Sequence, residues 1–339
     1  MKQTFHLSAV KRLEKFLFDR AESDKIELLT PDASTRDYFR IEWKDTTAIA
    51  CVYPELFNPL EQSYLDVTAL FLACGLPVAK VYELDSQLGI IVLEDFGDNI
   101  LRDVLTKADN QEKERLINEA IILIAEIQAA TPKAFELKSI ASRLKFDEEK
   151  LLWELNFFKT HYFAKFQNEN LPPKVSKFLD KEFLELSLDL AFRAIVLCHR
   201  DFHAANLMID KENRLRIIDH QDARIGATSY DLVSLLLDRI VEAPAEDWLN
   251  NKKHFFLAER ERLGLEKIAF EDFDYEFNLM TVQRCLKAIG TFSFQSVNRG
   301  KTHFIQYIEP MFRIVLQASE HLQRFPVLQK IIKEKVGKR

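Results

Sequence analysis

Apolar residues return every third or fourth position over Leu7–Arg20, which predicts an opening helix. The spacing then shortens. Lys25–Leu29, Tyr38–Trp43 and Thr47–Tyr53 read as strands, with the polar stretch Pro31–Asp37 as the turn between the first two. Pro59–Ala73 fits a helix that stops at Gly75, as helix C-termini often do. Val78–Leu84 and Gly89–Leu93 complete a sheet around a turn at Asp85–Gln87. After Phe96-Gly97-Asp98 the pattern becomes helical. Gln111–Ala130, Glu148–Phe163, Lys174–Phe192, Phe273–Val297 and Lys301–Arg324 all carry helical spacing. One β-rich island, Cys198–Gly226, interrupts them with small strands at Leu207–Ile209 and Leu215–Ile218. The expected fold class is α+β, with a small β-sheet N-terminal lobe over residues 1–95 and a large, mainly helical C-terminal lobe over 96–339.

Charge and composition remove whole classes. Lys+Arg number 47 and Asp+Glu 53, a net charge of −6, and the basic run at 330–339 reads as a solvated helix face. Nucleic acid is therefore not expected as a partner. The apolar stretches Ala120–Ala125 and Ala194–Cys198 are far shorter than the ~18–20 residues of a membrane span. No apolar segment of signal-peptide type follows the N-terminal charges, so no secretory signal and no membrane partner are expected. Four cysteines, at 51, 74, 198 and 285, form no C-x-x-C pair, which argues against structural zinc or a disulfide framework. A cytoplasmic monomer is expected. Only eight glycines occur, against the ~24 of average usage, and no G-x-G-x-x-G is present, so a dinucleotide-binding reading has no support. Gly300-Lys301-Thr302 imitates the end of a phosphate-binding P-loop, but Gln295 stands where that motif needs glycine.

The segment that carries chemistry is His199-Arg200-Asp201-Phe202-His203-Ala204-Ala205-Asn206-Leu207, followed by Ile218-Asp219. Phosphoryl transfer to a hydroxyl needs a carboxylate to orient that hydroxyl, and an amide and a second carboxylate to hold Mg²⁺ against nucleotide phosphates. H-R-D-x-x-x-x-N supplies Asp201 as the catalytic carboxylate and Asn206 as the amide. A hairpin over Leu207–Ile218 returns Asp219 as the second metal ligand. With a sheet lobe before a helical one, this is the outline of a kinase.

At these residues the chain resembles the aminoglycoside phosphotransferase superfamily. Within it, the resemblance is to the bacterial anomeric N-acetylmuramate/N-acetylglucosamine kinase subfamily. It rests on His199–Met208, on Ile218-Asp219-His220-Gln221-Asp222-Ala223, and on Tyr230–Leu236. It extends to Asp32–Arg40, to Leu93-Glu94-Asp95-Phe96-Gly97-Asp98, and to Gln283-Arg284-Cys285-Leu286-Lys287-Ala288-Ile289-Gly290-Thr291-Phe292. The resemblance implies a protein-kinase-like bilobal fold and an ATP- and Mg²⁺-dependent phosphotransferase. The acceptor is a hydroxyl of a small molecule, here an amino sugar. An aminoglycoside, choline or another amino alcohol is the alternative acceptor.

Each matching position also has a physical reading. Ser34, Thr35 and Arg36 stand between two strands, where small residues, a hydroxyl and a cation suit nucleotide phosphates, although a plain polar turn is the simpler reading of the turn alone. Leu93, Glu94 and Asp95 leave the last strand, where kinase-like folds bind the adenine edge through the backbone. Asp231 is a natural helix cap, and the resemblance implies that it braces the catalytic loop, with His199 and Arg200 as structural parts of that loop. Asp222, three residues after Asp219, and His203 are acceptor-side candidates. Arg284 and Lys287 share a helix face and suit a polyhydroxylated or carboxylated sugar, unless they merely pair with carboxylates. Trp153, Phe157, Phe158 and His161 lie at helical spacing and read as core, although the resemblance implies that such helices line the acceptor site. The third strand, Thr47–Tyr53, lacks the lysine that protein kinases place there. That absence motivates an alternative of another class, a kinase-fold nucleotide-binding regulatory protein, against which Asp201, Asn206 and Asp219 all stand intact. His220 replaces the phenylalanine usual in the subfamily and is expected to pack, not to bind metal.

Overall fold

The structure, a computed structural model, describes residues 8–29, 36–240 and 242–336. Its elements begin with α1 (Ala9–Phe18), β1 (Ile26–Leu29), β2 (Asp37–Trp43), β3 (Thr46–Val52), α2 (Ser63–Ala73), β4 (Val81–Asp85), β5 (Ile90–Glu94) and α3 (Leu101–Leu105). Next come α4 (Asn110–Ala129), α5 (Thr131–Glu136), α6 (Ile140–Arg143), α7 (Glu148–Phe158) and α8 (Pro173–Phe192). The β-island supplies β6 (Val196–Cys198), β7 (Leu207–Ile209), β8 (Leu215–Ile217) and β9 (Arg224–Gly226). The chain closes with α9 (Tyr230–Leu237), α10 (Glu246–Arg262), α11 (Phe270–Arg299), α12 (Ile308–His321) and α13 (Pro326–Val336).

Contacts divide the chain into two compact units, Met1–Thr106 with Ala205–Gln221, and Lys107–Ala204 with Asp222–Arg339. The sequence places the division after residue 95. The first unit instead runs on through α3 and takes back the β7–β8 hairpin. No helix among the described residues is long and apolar enough to cross a membrane.

The first unit is built on an antiparallel sheet of order β1-β2-β3-β5-β4. Its strands alternate faces as extended backbone must. Ala48, Ala50, Val52, Ile90 and Val92 face Leu13, Phe16 and Leu17 of α1. Ile49, Cys51, Ile91 and Leu93 belong to the opposite layer with Tyr64 of α2 and with Met208 and Ile218 of the hairpin. Arg12 of α1 is buried at the sheet's end and donates to the carbonyls of Leu88 (2.7 Å) and Tyr53 (2.6 Å). The hairpin is anchored by backbone bonds from Ile209 N to Asn99 O (2.8 Å) and from Ile217 N to Pro77 O (2.9 Å).

The second unit is helical around α11, with β6 and β9 as a small antiparallel pair. A Cβ on Gly290 of α11 would stand 2.6 Å from the Cα of Phe158, so glycine lets α11 approach the α7 backbone closely. The helix expected over 148–163 stops at Phe158 and continues as a π-helical segment, Lys159–Phe166. The segment expected as one helix over 301–324 opens as a 3₁₀ turn, Thr302–Tyr307, before α12. Helix α10 has no apolar stripe that marks it in the sequence, because Lys252 and Lys253 occupy buried positions. They are buried as ion pairs with Glu114 and with Asp274.

Candidate active site

Register across the hairpin fixes the first group of functional residues. Leu207 pairs with Ile217, and Ile218 N donates to Asn206 O at 3.1 Å, so Asn206 and Asp219 emerge at the hairpin's open end. Asp219 adopts a left-handed backbone (φ +61°), a conformation that side-chain-bearing residues hold only where surroundings impose it. Its Oδ1 accepts from Gln221 Nε2 at 2.9 Å and from Arg36 at 3.3 Å. The donor chemistry fits Mg²⁺, a hard cation that takes one or two protein oxygens and completes its shell with water and phosphate. Among the described residues there is no cluster of three or more His, Cys, Asp or Glu side chains that could hold a metal ion. His220, fully buried, turns away to α2: its Nε2 lies 2.7 Å from Thr68 Oγ1, and its ring packs on Tyr64 and Phe71.

The remaining sequence candidates of this unit are placed as follows. Ser34 and Thr35 lie outside the described residues. Arg36 reaches Asp219, with Tyr53 Oη 3.5 Å away. Leu93 is buried in β5, paired with Ile49. Glu94 accepts from Arg216 (3.1 Å) and from Lys80 N (3.2 Å), while Asp95 accepts from Arg40 (2.8 Å) and Gly97 N (2.9 Å). Both carboxylates therefore serve internal bonds.

The second unit carries Asp201. Strand β6 delivers the chain to His199, and Asp231 at the start of α9 accepts from His199 N (2.6 Å) and Arg200 N (3.0 Å). Burial pushes the Asp231 carboxyl pKa up, against the pull of His199 and these two N–H donors. Arg200, at φ +89°, sends its guanidinium to Asp222 Oδ2 at 2.7 Å. Asp201 sits against α11, its Oδ1 3.0 Å from Lys287 Nζ and 3.5 Å from Arg284. Burial opposes its ionisation, but Lys287, Arg284 and Arg200 outweigh burial and hold the carboxyl well below its ordinary range. Lys287 is pushed down by burial and by Arg284 despite Asp201. His203 is pushed down to about 4, chiefly by burial, and is a neutral imidazole at pH 7. Arg284 also faces Ser234 and, at 3.6 Å, Asp238.

Sequence spacing shows that Arg284 and Lys287 share a face but not that the face meets Asp201. It also passes over Lys150 and Glu154. Glu154 is buried and accepts from Gln283 Nε2 at 2.8 Å. Its charge, with those of Arg284 and Asp201, bears on the buried Tyr230 hydroxyl. The one available signal was Lys150 and Glu154 four residues apart on a predicted helix.

Residues 25–265, well over half of the chain, match the phosphotransferase enzyme family, APH. The chain belongs to this family. It is a small-molecule phosphotransferase, a kinase with an α+β kinase-like fold. It is 29% identical over 307 residues to an N-acetylmuramate/N-acetylglucosamine kinase of Neisseria meningitidis serogroup B, covering 90% of this chain and 89% of the relative. Among solved structures, choline kinase LicA from Streptococcus pneumoniae superposes with TM-score 0.58 at 13% identity, over 90% of this chain and 98% of that one. The streptomycin–ATP–APH(2″)-IIa ternary complex gives TM-score 0.57 at 15% identity, over 89% and 97%. At such identities these two likenesses speak for the fold alone.

Proposed function

We propose that this phosphotransferase moves the γ-phosphoryl group of ATP to the anomeric hydroxyl of an N-acetylated amino sugar, with Asn206 and Asp219 holding Mg²⁺. In this reading the bond from the γ-phosphorus to the bridging oxygen breaks, a bond to the acceptor oxygen forms, and the hydroxyl proton passes to Asp201. A carboxylate held far below its ordinary pKa is a weak base. Its larger contribution is to orient the hydroxyl, since proton transfer comes late in a loose phosphoryl-transfer transition state. The metal, when bound, supplies neutralisation of the nucleotide's phosphate charge. Arg36, 3.3 Å from Asp219, keeps a cation on that side in place of the third-strand lysine.

The observation that carries the reading is Asp201 kept ionised against Lys287 at 3.0 Å, in a catalytic loop braced by Asp231. The acceptor class is supported by the relatives' names. The test is ATP consumption over amino sugars, aminoglycosides and amino alcohols, with the phosphate located by NMR. Phosphate on the anomeric oxygen of an N-acetylated amino sugar is the expected product. Exclusive activity on a cationic acceptor would overturn the acceptor and leave the phosphotransferase.

A further inference from the structure

Four cations of the second unit already have partners. Lys287 and Arg284 lie on Asp201 (3.0 and 3.5 Å), Arg200 is held by Asp222 (2.7 Å), and Arg224 donates to the Asp222 carbonyl (3.0 Å). Lys150, in the first turn of α7, is different. Its Nζ stands 3.9 Å from Glu154 Oε1, beyond hydrogen-bond distance, and 4.1 Å from the centre of the Trp153 ring. Among the described residues it has no closer acidic partner. Glu154 itself is turned inward onto Gln283, and its Oε1 is buried without a hydrogen-bond partner. Gln283 immediately precedes Arg284, so this bond ties the Lys150 turn of α7 to the stretch of α11 that clamps Asp201. Lys150 keeps 28% of its side-chain surface exposed and Trp153 is 55% exposed, so solvent and ligand reach both. Burial lowers the Lys150 pKa, and the charges of Arg200, Arg224 and Lys287 lower it further, against the pull of Glu154. An anion beside the ammonium would relieve that repulsion.

We propose that Lys150, with Trp153 beneath its ammonium, forms a subsite for an anionic substituent on the acceptor, the carboxylate of an acidic amino sugar. The inference rests on the amino-sugar reading above. It assigns the carboxylate to α7 and leaves Arg284 and Lys287 to Asp201. A charge-assisted bond to Lys150 is available only to the acidic sugar. The subsite therefore sets selectivity, which is a difference of two affinities.

The test uses the full chain and two acceptors, N-acetylmuramate and N-acetylglucosamine, with kcat/KM measured for each in wild type, Lys150→Met and Lys150→Arg. The ratio of acidic to neutral sugar is expected to fall by about 10–100-fold in Lys150→Met, as loss of a hydrogen bond between charged groups implies. Lys150→Arg should keep most of the ratio, because the charge stays. A ratio unchanged in Lys150→Met, including equal loss of both activities, overturns the subsite. Wild-type activity on neither sugar overturns the amino-sugar reading, and the subsite with it.

Discussion

Asp201 lies among three cations, and that neighbourhood decides how it acts. Asp201→Asn keeps the shape but removes the charge that orients the hydroxyl, so kcat should fall by about 10²–10⁴-fold. Mg·ATP affinity should stay near wild type by calorimetry; an equal loss of nucleotide affinity would remove Asp201 from the acceptor side. Lys287→Met takes away the cation 3.0 Å from Oδ1 and leaves burial to push the carboxyl up. The catalytic form is ionised, so the acid limb of the pH profile of kcat/KM should move to higher pH; an unmoved limb would mean that Lys287 does not tune Asp201. The depressed Asp201 pKa by itself contributes stability above about pH 3.9, the unfolded aspartate value, and that contribution is lost as pH falls through the lower folded value. The hairpin that carries Asn206 and Asp219 was legible because it is fixed at short range along the chain. What surrounds Asp201 was not, since Lys287 comes from 86 positions later.

Helix α11 meets α7 where Gly290 offers no Cβ against the Phe158 backbone. Alanine normally gains up to about 1 kcal/mol over glycine inside a helix. Here its Cβ would stand 2.6 Å from a main-chain atom that has little freedom to shift. Gly290→Ala should therefore cost about 1–3 kcal/mol by overpacking, read from chemical denaturation; a stabilised variant would show that the helices separate easily. The five strands of the first unit's sheet were legible at this scale, Tyr38–Trp43 by its alternation and Thr47–Tyr53 by its β-branched residues, whereas β6 and β9 were not read as strands. Helix α10 was not legible, because periodicity counts apolar residues and its buried positions include lysines whose partners, Glu114 and Asp274, lie on other helices. The end of α7 was equally hidden, since nothing in Lys159–Phe166 distinguishes i→i+5 bonding from a continued α-helix.

For the molecule as a whole, ligand binding and stability are linked. Mg·ATP at 100 times its dissociation constant should stabilise the fold by about 2.7 kcal/mol, visible as a raised Tm. Asp219→Ala should lose most of that shift and Asn206→Ala less; an undiminished shift in Asp219→Ala would exclude it as the principal metal ligand. The same Asp219 ends a hairpin that belongs to the first unit, although residues 107–204 intervene in the chain. Bonds from Ile217 to Pro77 and from Ile209 to Asn99 close the unit late in the sequence. On the ribosome the unit must therefore wait for its hairpin while roughly 100 further residues are added, about 5–20 s at ~5–20 residues per second. During that interval the layer formed by Ile49, Cys51, Ile91 and Leu93 lacks Met208 and Ile218 as neighbours. A nascent chain arrested soon after residue 106 should bind a chaperone that one arrested well beyond residue 221 no longer needs, so the order of synthesis makes this protein's youngest intermediate its stickiest.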